Sequence, residues 1–403
     1  MTGPNAPLSG LRVLDMTRVL SGPFCTLTLG DLGAEVIKIE DPRHGDEVRQ
    51  MHVSEKLGLS SYFLAVNRNK KSVAIDITKP EGRDAVLEIA KRADVLVENY
   101  RTGVMQRRGL DYDTVATVNP GIVYCSISGY GRHGPDKDRP GYDPVVQAES
   151  GFMSLTGEPD GDPMRTGVSI IDVIAGLFAG EAILAALVER ERSGKGQFID
   201  VPLFDTSVNM LVHAAAAYLV DGRVLGREGN ISPNAMPVGV FRAADGPFML
   251  AMTSDRQFRT FSDRVLDRSE LADDPAFADN PSRVENRERL VELLNGIFGA
   301  RDRDHWIGRC REAGIPAGPI RDVAEALTSE EVAGRDLITT TPHPTAGDVP
   351  GVRSPMRLSR TPVVEAVVAP GLGEHTEAVL RDLAGYGDTE IERLRQVEAI
   401  RRD

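Results

Sequence analysis

Along the first 130 residues, short runs of β-branched and apolar residues recur between stretches with helical spacing. RVLDM (12–16), EVIKIE (35–40), SVAIDI (72–77), DVLVEN (94–99) and GIVYCSIS (121–128) predict strands. After the first, Gly22-Pro23 opens a helix that stops near Gly33. Between the third and fourth, Lys79 to Arg92 has helical spacing, with Val86, Leu87, Ile89 and Ala90 on one side. Strands separated by helices imply parallel βαβ crossovers, hence an α/β fold with a doubly wound sheet. Ligands of such sheets sit beyond the carboxyl ends of the strands, where Asp15, Asn99 and Ser128-Gly129 fall. No GxGxxG follows the first strand and no P-loop is present, so the outline is Rossmann-like without the Rossmann phosphate loop.

A long apolar helix runs from Ser169 to about Arg192 and breaks at Ser193-Gly194-Lys195-Gly196. QFIDVPLFD (197–205) reads as another strand, and an Ala-rich helix covers Ser207 to Val220. From Asp221 to Pro247 glycine, proline and asparagine become frequent. FMLAMT (248–253) then reads as a strand, Asp255–Val265 and Arg283–Phe298 as helices, and REAGIPAGPI (311–320) as a punctuated connection. The expected organisation is a large domain beginning with residues 1–224, a smaller α+β domain at 225–325, and a part at 326–403 that returns to the large domain. That last part holds a Pro-rich extended stretch (345–370) and a final helix, Glu374–Leu383.

Composition narrows the class without changing this picture. A chain of 403 residues with 41% apolar and 27% charged residues has the ordinary mix of a soluble globular protein. The longest uncharged apolar run, Met210–Val220, falls short of the roughly 20 residues of a spanning helix. The N-terminus lacks a basic stretch followed by an apolar core, so the expectation is a cytoplasmic protein without a membrane partner. Cys25, Cys125 and Cys310 lie far apart, and the seven histidines form no HxxxH or HxH pair. Neither a disulfide framework nor a metal site is expected. A net charge of −13 argues against nucleic acid as a partner. Residues 61–110 are locally positive by +4, with ten Lys/Arg against six acids, which suggests an anionic ligand. Clustering on solvated helix faces is the commoner reason for such a run.

The acid that stands out is Asp172, three residues after Ser169 at the start of the long helix. Backbone N–H groups and the helix dipole stabilise a carboxylate there by about 0.3–1 kcal/mol, up to about 2 when partly buried. That keeps it ionised at neutral pH, as a carboxylate nucleophile must be. The same S-x-x-D spacing also suits plain helix capping.

Four segments decide between these readings: GLRVLDMTRVLSGPFCTLTLGDLGAEVIKIE (10–40), VENYRTGVMQRRGLDY (97–112), RPGYDPVVQAESGFMSLTGEPDGDPMRTGVSIIDVIAG (139–176) and LGEHTEAVL (372–380). Together they resemble, nearly end to end, the class III coenzyme A transferase family (the formyl-CoA:oxalate and carnitine CoA-transferase group), related to the α-methylacyl-CoA racemases. The resemblance implies that Asp172, in the D-x-x-x-G setting of residues 172–176, is a covalent nucleophile. It attacks an acyl-CoA to give a mixed anhydride and then an aspartyl-CoA thioester, which passes coenzyme A to a free carboxylic acid. Coenzyme A is then a substrate rather than a tightly bound cofactor.

By the same resemblance, CoA contacts fall at Val19, Leu20, Ser21, Ile75, Asp76, Asn99, Tyr100, Arg101, Arg107, Gly141, Tyr142 and Asp143. Arg107 or Arg108 is the choice for a phosphate, because guanidinium groups bind phosphate bidentately. Several relatives carry an arginine where this chain has Asp41, with Arg43 two residues on. The racemase branch has a histidine where this chain has Tyr142, and a tyrosine hydroxyl (ordinary pKa near 10) suits proton shuttling poorly. Racemase is therefore the alternative, with a non-catalytic CoA-binding relative as a third reading. His133 reads as a loop residue and His375 as a structural hydrogen-bonding position. Leu20 stands where oxalate-specific relatives have glutamine, and the lid-like segment 229–239 is stiffened by proline. Both argue for an acceptor larger than oxalate, with succinyl-CoA or a similar donor. The family fold implies an interlocked homodimer.

Overall fold

The computed structural model describes residues 6–401, which divide into two compact units. The larger runs to Phe152, then takes in Thr166–Ala215 and the chain from Glu331 on; the smaller comprises Met153–Arg165 and Ala216–Glu330.

The larger unit is built on six parallel strands: β1 (Arg12–Met16), β2 (Glu35–Glu40), β3 (Lys70–Ala74), β4 (Val95–Glu98), β5 (Val123–Ser128) and β6 (Gln197–Pro202). Their order is β3-β2-β1-β4-β5-β6, so the winding reverses between β1 and β4 and a crevice opens beyond Met16 and Glu98. Register explains the apolar runs. Val13 lies beside Val36 and Val95, and Val95 beside Val123, all facing one layer. Leu14, Ile37, Leu96 and Tyr124 face the other. With both faces buried, alternation disappears and each strand reads as a continuous apolar run.

One layer is the long helix Ile170–Ser193 packed on helix Ser21–Asp31. Ile171, Ala175, Ala179, Ile183 and Ala186 recur every three or four residues and are buried. This is the one helix among the described residues long and apolar enough to cross a membrane, and its bounds agree with the helix expected from Ser169 to about Arg192. The opposite layer holds helix Pro80–Ala90 and the C-terminal segment, whose Leu380, Leu383, Ile391 and Leu394 join the core of the first strands.

β3 begins two residues before the expected start and ends at Ala74. Ile75 leaves the sheet and pairs with Ile400 in the C-terminal tail. QFIDVPLFD turns helical at Leu203.

In the smaller unit, β7 (Val238–Ala243), β8 (Gly246–Ala251) and β9 (Ala317–Pro319) form an antiparallel sheet. Helices Asp255–Arg264, Arg287–Phe298 and Arg303–Glu312 pack around Phe248, Phe261, Phe298 and Trp306. The helix expected over 283–298 breaks at Asn286, whose side-chain amide donates to Ser282 O (2.9 Å). Residues 347–352 of the stretch expected to be extended form one strand, β11 (Gly347–Val352), of an exposed hairpin in the larger unit, paired with β10 (Ile338–His343).

Candidate active site

The loop leaving β1 rests on a buried ionic cluster. Asp15 accepts from the Thr17 N–H and hydroxyl, the Thr26 hydroxyl and Lys70 Nζ (3.0 Å). Lys38 pairs with Asp46 at 2.9 Å and donates to Thr17 O. Burial alone would raise the Asp15 pKa, but Lys70, Lys38 and the two hydroxyls bring it down to about 2. Burial brings Lys70 down to about 8 against the pull of Asp15. Asp15, expected among ligand-facing positions, is therefore a foundation: fully buried, with both oxygens occupied. The lysines that set its charge, Lys38 and Lys70, come from β2 and β3, a pairing the sequence does not reveal.

That foundation holds the loop in an uncommon shape. Val19 has φ 68, the left-handed region that a β-branched residue rarely enters. Its N–H donates to Asp46 Oδ1, and Asn99 clamps the preceding residue, accepting from Arg18 N–H (2.9 Å) and donating to Arg18 O (2.7 Å). Helix Ser21–Asp31 starts at once, with no side chain capping its first turn. Strain of this kind persists only where the surroundings over-determine it.

Asp172 meets this loop because of Gly176, one turn further along the long helix. A Cβ at Gly176 would lie 2.6 Å from Ser21 O, so only glycine allows the two helices to approach this closely. The D-x-x-x-G spacing thus has a steric cause. The Ser21 side chain faces the partly buried Asp172 carboxylate and favours its ionised form. Its pKa is pushed up to about 7, by burial first and by the Asp143 charge second, with Ser21 opposing.

This corrects the expectation that the helix N-terminus holds Asp172 firmly ionised. Those donors belong to Asp143: its Oδ2 accepts the N–H of Ile171 (2.8 Å) and of Asp172 (3.2 Å), while its Oδ1 accepts from Gln147 Nε2 (2.5 Å). Ser169 makes no side-chain cap, so the S-x-x-D reading as a capping box fails as well. Tyr62, which the sequence reading did not select, is raised to about 12 by burial and then by Asp172. Its half-buried hydroxyl therefore belongs to the same neighbourhood. Nothing in the SYF triplet marks it.

Beyond Asp172 a cleft opens at the carboxyl ends of β1, β4 and β5. It brings together Val19, Leu20, Ser21, Asn99, Tyr100, Arg101, Gly141, Tyr142 and Asp172 of the expected positions. Gly129 and Gly141 cross at backbone contact, a Cβ on the first lying 2.6 Å from the Cα of the second. Arg132, which was not anticipated, anchors the wall. It donates to Ser126, Thr102, Glu98 Oε1 (2.7 Å) and Tyr100 O.

Five expected positions fall outside the residues lining this cleft. Ile75 is buried and its N–H donates to Glu40 O, while Asp76 accepts from the Thr78 N–H. Arg107 and Arg108 sit on helix Val104–Arg108, away from the lining. Asp143 is 3% exposed and faces the helix rather than the cleft. The locally positive window also dissolves. Arg68 binds Asp31, Lys70 binds Asp15, Lys71 binds Glu35, Arg83 binds Asp84 and Lys91 binds Glu88. Of its ten cations only Arg101 lines the cleft. Arg43 is paired with Asp41 at 2.6 Å. His375 donates its backbone N–H to Ser72 O, and His133 lines a separate depression beside Tyr112 and Phe198. The three cysteines are buried, and burial raises Cys25 and Cys310 to about 12.

A family model described as CoA-transferase family III matches residues 8–376. The chain is 41% identical over 388 residues to a succinyl-CoA:glutarate CoA-transferase of Mus musculus, covering 96% of this chain and 89% of that protein. It is 42% identical over 338 residues to an acetyl-CoA:oxalate CoA-transferase of Acetobacter aceti, covering 83% and 86%. Among solved structures, a CAIB/BAIF family protein from Brucella suis matches with TM-score 0.87 and 39% identity, over 94% of this chain and 100% of that one.

Proposed function

The chain belongs to CoA-transferase family III and is a transferase enzyme, and we propose that it moves coenzyme A from succinyl-CoA or a similar donor to a dicarboxylic acid through covalent intermediates on Asp172. The observation that carries this reading is the Asp172 carboxylate: partly buried, destabilised to a pKa of about 7, and lining a cleft that also holds several cations.

The chemistry follows from that placement. The carboxylate attacks the donor thioester, the C–S bond breaks, and coenzyme A leaves as thiolate from a mixed anhydride. The thiolate attacks Cγ of Asp172, the donor acid departs, and an aspartyl-CoA thioester remains. The acceptor carboxylate then runs the two steps in reverse. Splitting one exchange into such steps replaces a single high barrier with lower ones. Arg101, Lys137 and Arg139 line the cleft and supply the positive charge that the CoA phosphates require. Asn99, Tyr100, Gly141 and Tyr142 line the same cleft.

Dicarboxylic acids are the favoured acceptors because the similar proteins are named for glutarate, oxalate and malate. A homodimer is the proposed assembly. Leu177, Phe178 and Val188 stay exposed on the side of the long helix that the core leaves uncovered. The test is product analysis by mass spectrometry after mixing succinyl-CoA with glutarate, malate or oxalate. Glutaryl-CoA with matching succinate supports the reading. No new acyl-CoA from any acceptor overturns it.

A further inference from the structure

The mixed anhydride can break in two directions. Thiolate attack on the donor acyl carbon expels the Asp172 carboxylate and regenerates the starting thioester. Attack on Cγ expels the donor acid and goes forward. Of two carboxylates on one anhydride, the less stable anion is the poorer leaving group, so the surroundings of Asp172 bias the direction.

Those surroundings are built around Asp143. It is almost wholly buried, and one oxygen accepts both free N–H groups at the start of the long helix. The other accepts from Gln147, itself buried, whose carbonyl oxygen accepts the Thr166 N–H (3.1 Å). The cap is a fixed negative charge held from three sides, next to the nucleophile. The helix-terminal donors that would otherwise stabilise the Asp172 anion are engaged. Facing Asp172 from other elements are the Ser21 side chain across Gly176 and Tyr62 of helix Ser61–Val66. Of the cations in the cleft, Arg132 is tied to Glu98 and Arg139 to Glu149. Arg18, Arg101 and Lys137 also line the cleft.

We propose that Asp143 is a positioning residue for the anhydride step: by capping the long helix with a fixed negative charge, it makes Asp172 the poorer leaving group and directs breakdown toward release of the donor acid. This rests on the covalent reading above. In the directed step an S–Cγ bond forms, and the bond from Cγ to the bridging oxygen breaks. The electron pair leaves on that oxygen as the donor carboxylate, with no net proton transfer. The oxygen that departs came from Asp172.

The readout is the equilibrium between free enzyme and enzyme thioester, measured by intact mass at a fixed ratio of succinyl-CoA to succinate. In the wild type the thioester-to-free ratio should be level above pH 7 and fall about tenfold per unit below it, as protonation traps free Asp172. Asp143→Asn keeps an acceptor for the helix but removes the charge. It should shift that break, and the acidic limb of kcat/KM, to lower pH. The thioester ratio at pH 8 should fall about tenfold for each unit of the shift. Asp143→Glu, which keeps a charge, should restore part of both. A variant that loses kcat with the limb and the ratio unmoved reduces Asp143 to a structural cap and overturns the proposal. So does a wild-type ratio that stays level down to pH 5, a measurement that requires no variant to fold. No thioester in the wild type at any pH removes the covalent reading, and the proposal with it.

Discussion

Replacing Asp172 with asparagine should abolish turnover and, at the same time, stabilise the protein. The carboxyl's pKa lies at 3.8 in its ordinary state and about 7 in the fold. That difference of about three units, at 1.36 kcal/mol each, corresponds to ~4 kcal/mol of folding free energy lost when Asp172 ionises inside the protein. The direction follows from linkage. A carboxyl whose pKa is raised by folding binds its proton more tightly in the native state, so its ionisation opposes folding. The penalty is absent below pH ~4, where both states are protonated, grows through the interval up to about 7, and is constant above. Asparagine has the same shape and no charge. Thermal midpoints of wild type and Asp172→Asn, measured side by side from pH 4.5 to 8.5, isolate the effect because every other titrating group is common to both. The variant should already exceed the wild type by about 1 kcal/mol at pH 4.5, and by progressively more up to about pH 7. A constant gap across the range, or a wild type that gains on the variant as pH rises, would refute the claim that the site destabilises its own nucleophile.

Ser21→Ala removes the hydroxyl that opposes the rise in the Asp172 pKa, so the acidic limb of kcat/KM should move to higher pH. A pH–rate profile checks it, and a limb moving down would contradict the placement of that hydroxyl. Gly176→Ala adds a methyl 2.6 Å from Ser21 O, well inside contact distance. The helices must separate, at about 1–3 kcal/mol, and a displacement near 1 Å at the nucleophile should lower kcat by about 100-fold. Steady-state kinetics with a melting curve test both, and an unchanged kcat would show that the close approach does not set the geometry.

The sheet was legible because its strands are buried on both faces, which turns Val13–Leu14, Val36–Ile37 and Val95–Val97 into unbroken apolar runs. The hairpin Ile338–Val352 was not, since it is largely exposed and carries no apolar face. Helix Asp388–Gln396 contributes only Ile391 and Leu394 to the core, too few for its period to stand out. Asp172 came forward through its D-x-x-x-G setting, but the sequence could not say that Gly176 is a contact with Ser21. Long-range polar pairings were the hardest part. Asp15 looked available at a strand end, yet Lys38 and Lys70 on adjacent strands enclose it. Asp143 sits in a motif that resembles a ligand loop, and its partners lie 28 and 29 residues onward at the start of another helix. The basic window at 61–110 looked like a binding surface because its carboxylate partners include Asp15, Asp31 and Glu35, outside the window.

The most direct test of the central claim is intact-mass analysis after succinyl-CoA followed by hydroxylamine, with wild type and Asp172→Ala treated alike. Hydroxylamine captures an activated carboxyl, so the wild type should gain one hydroxamate-sized increment, mapped to the peptide that contains Asp172, and the variant none. No increment on the wild type with succinyl-CoA or other short donors, or an equal increment on the variant, would contradict a covalent aspartyl intermediate.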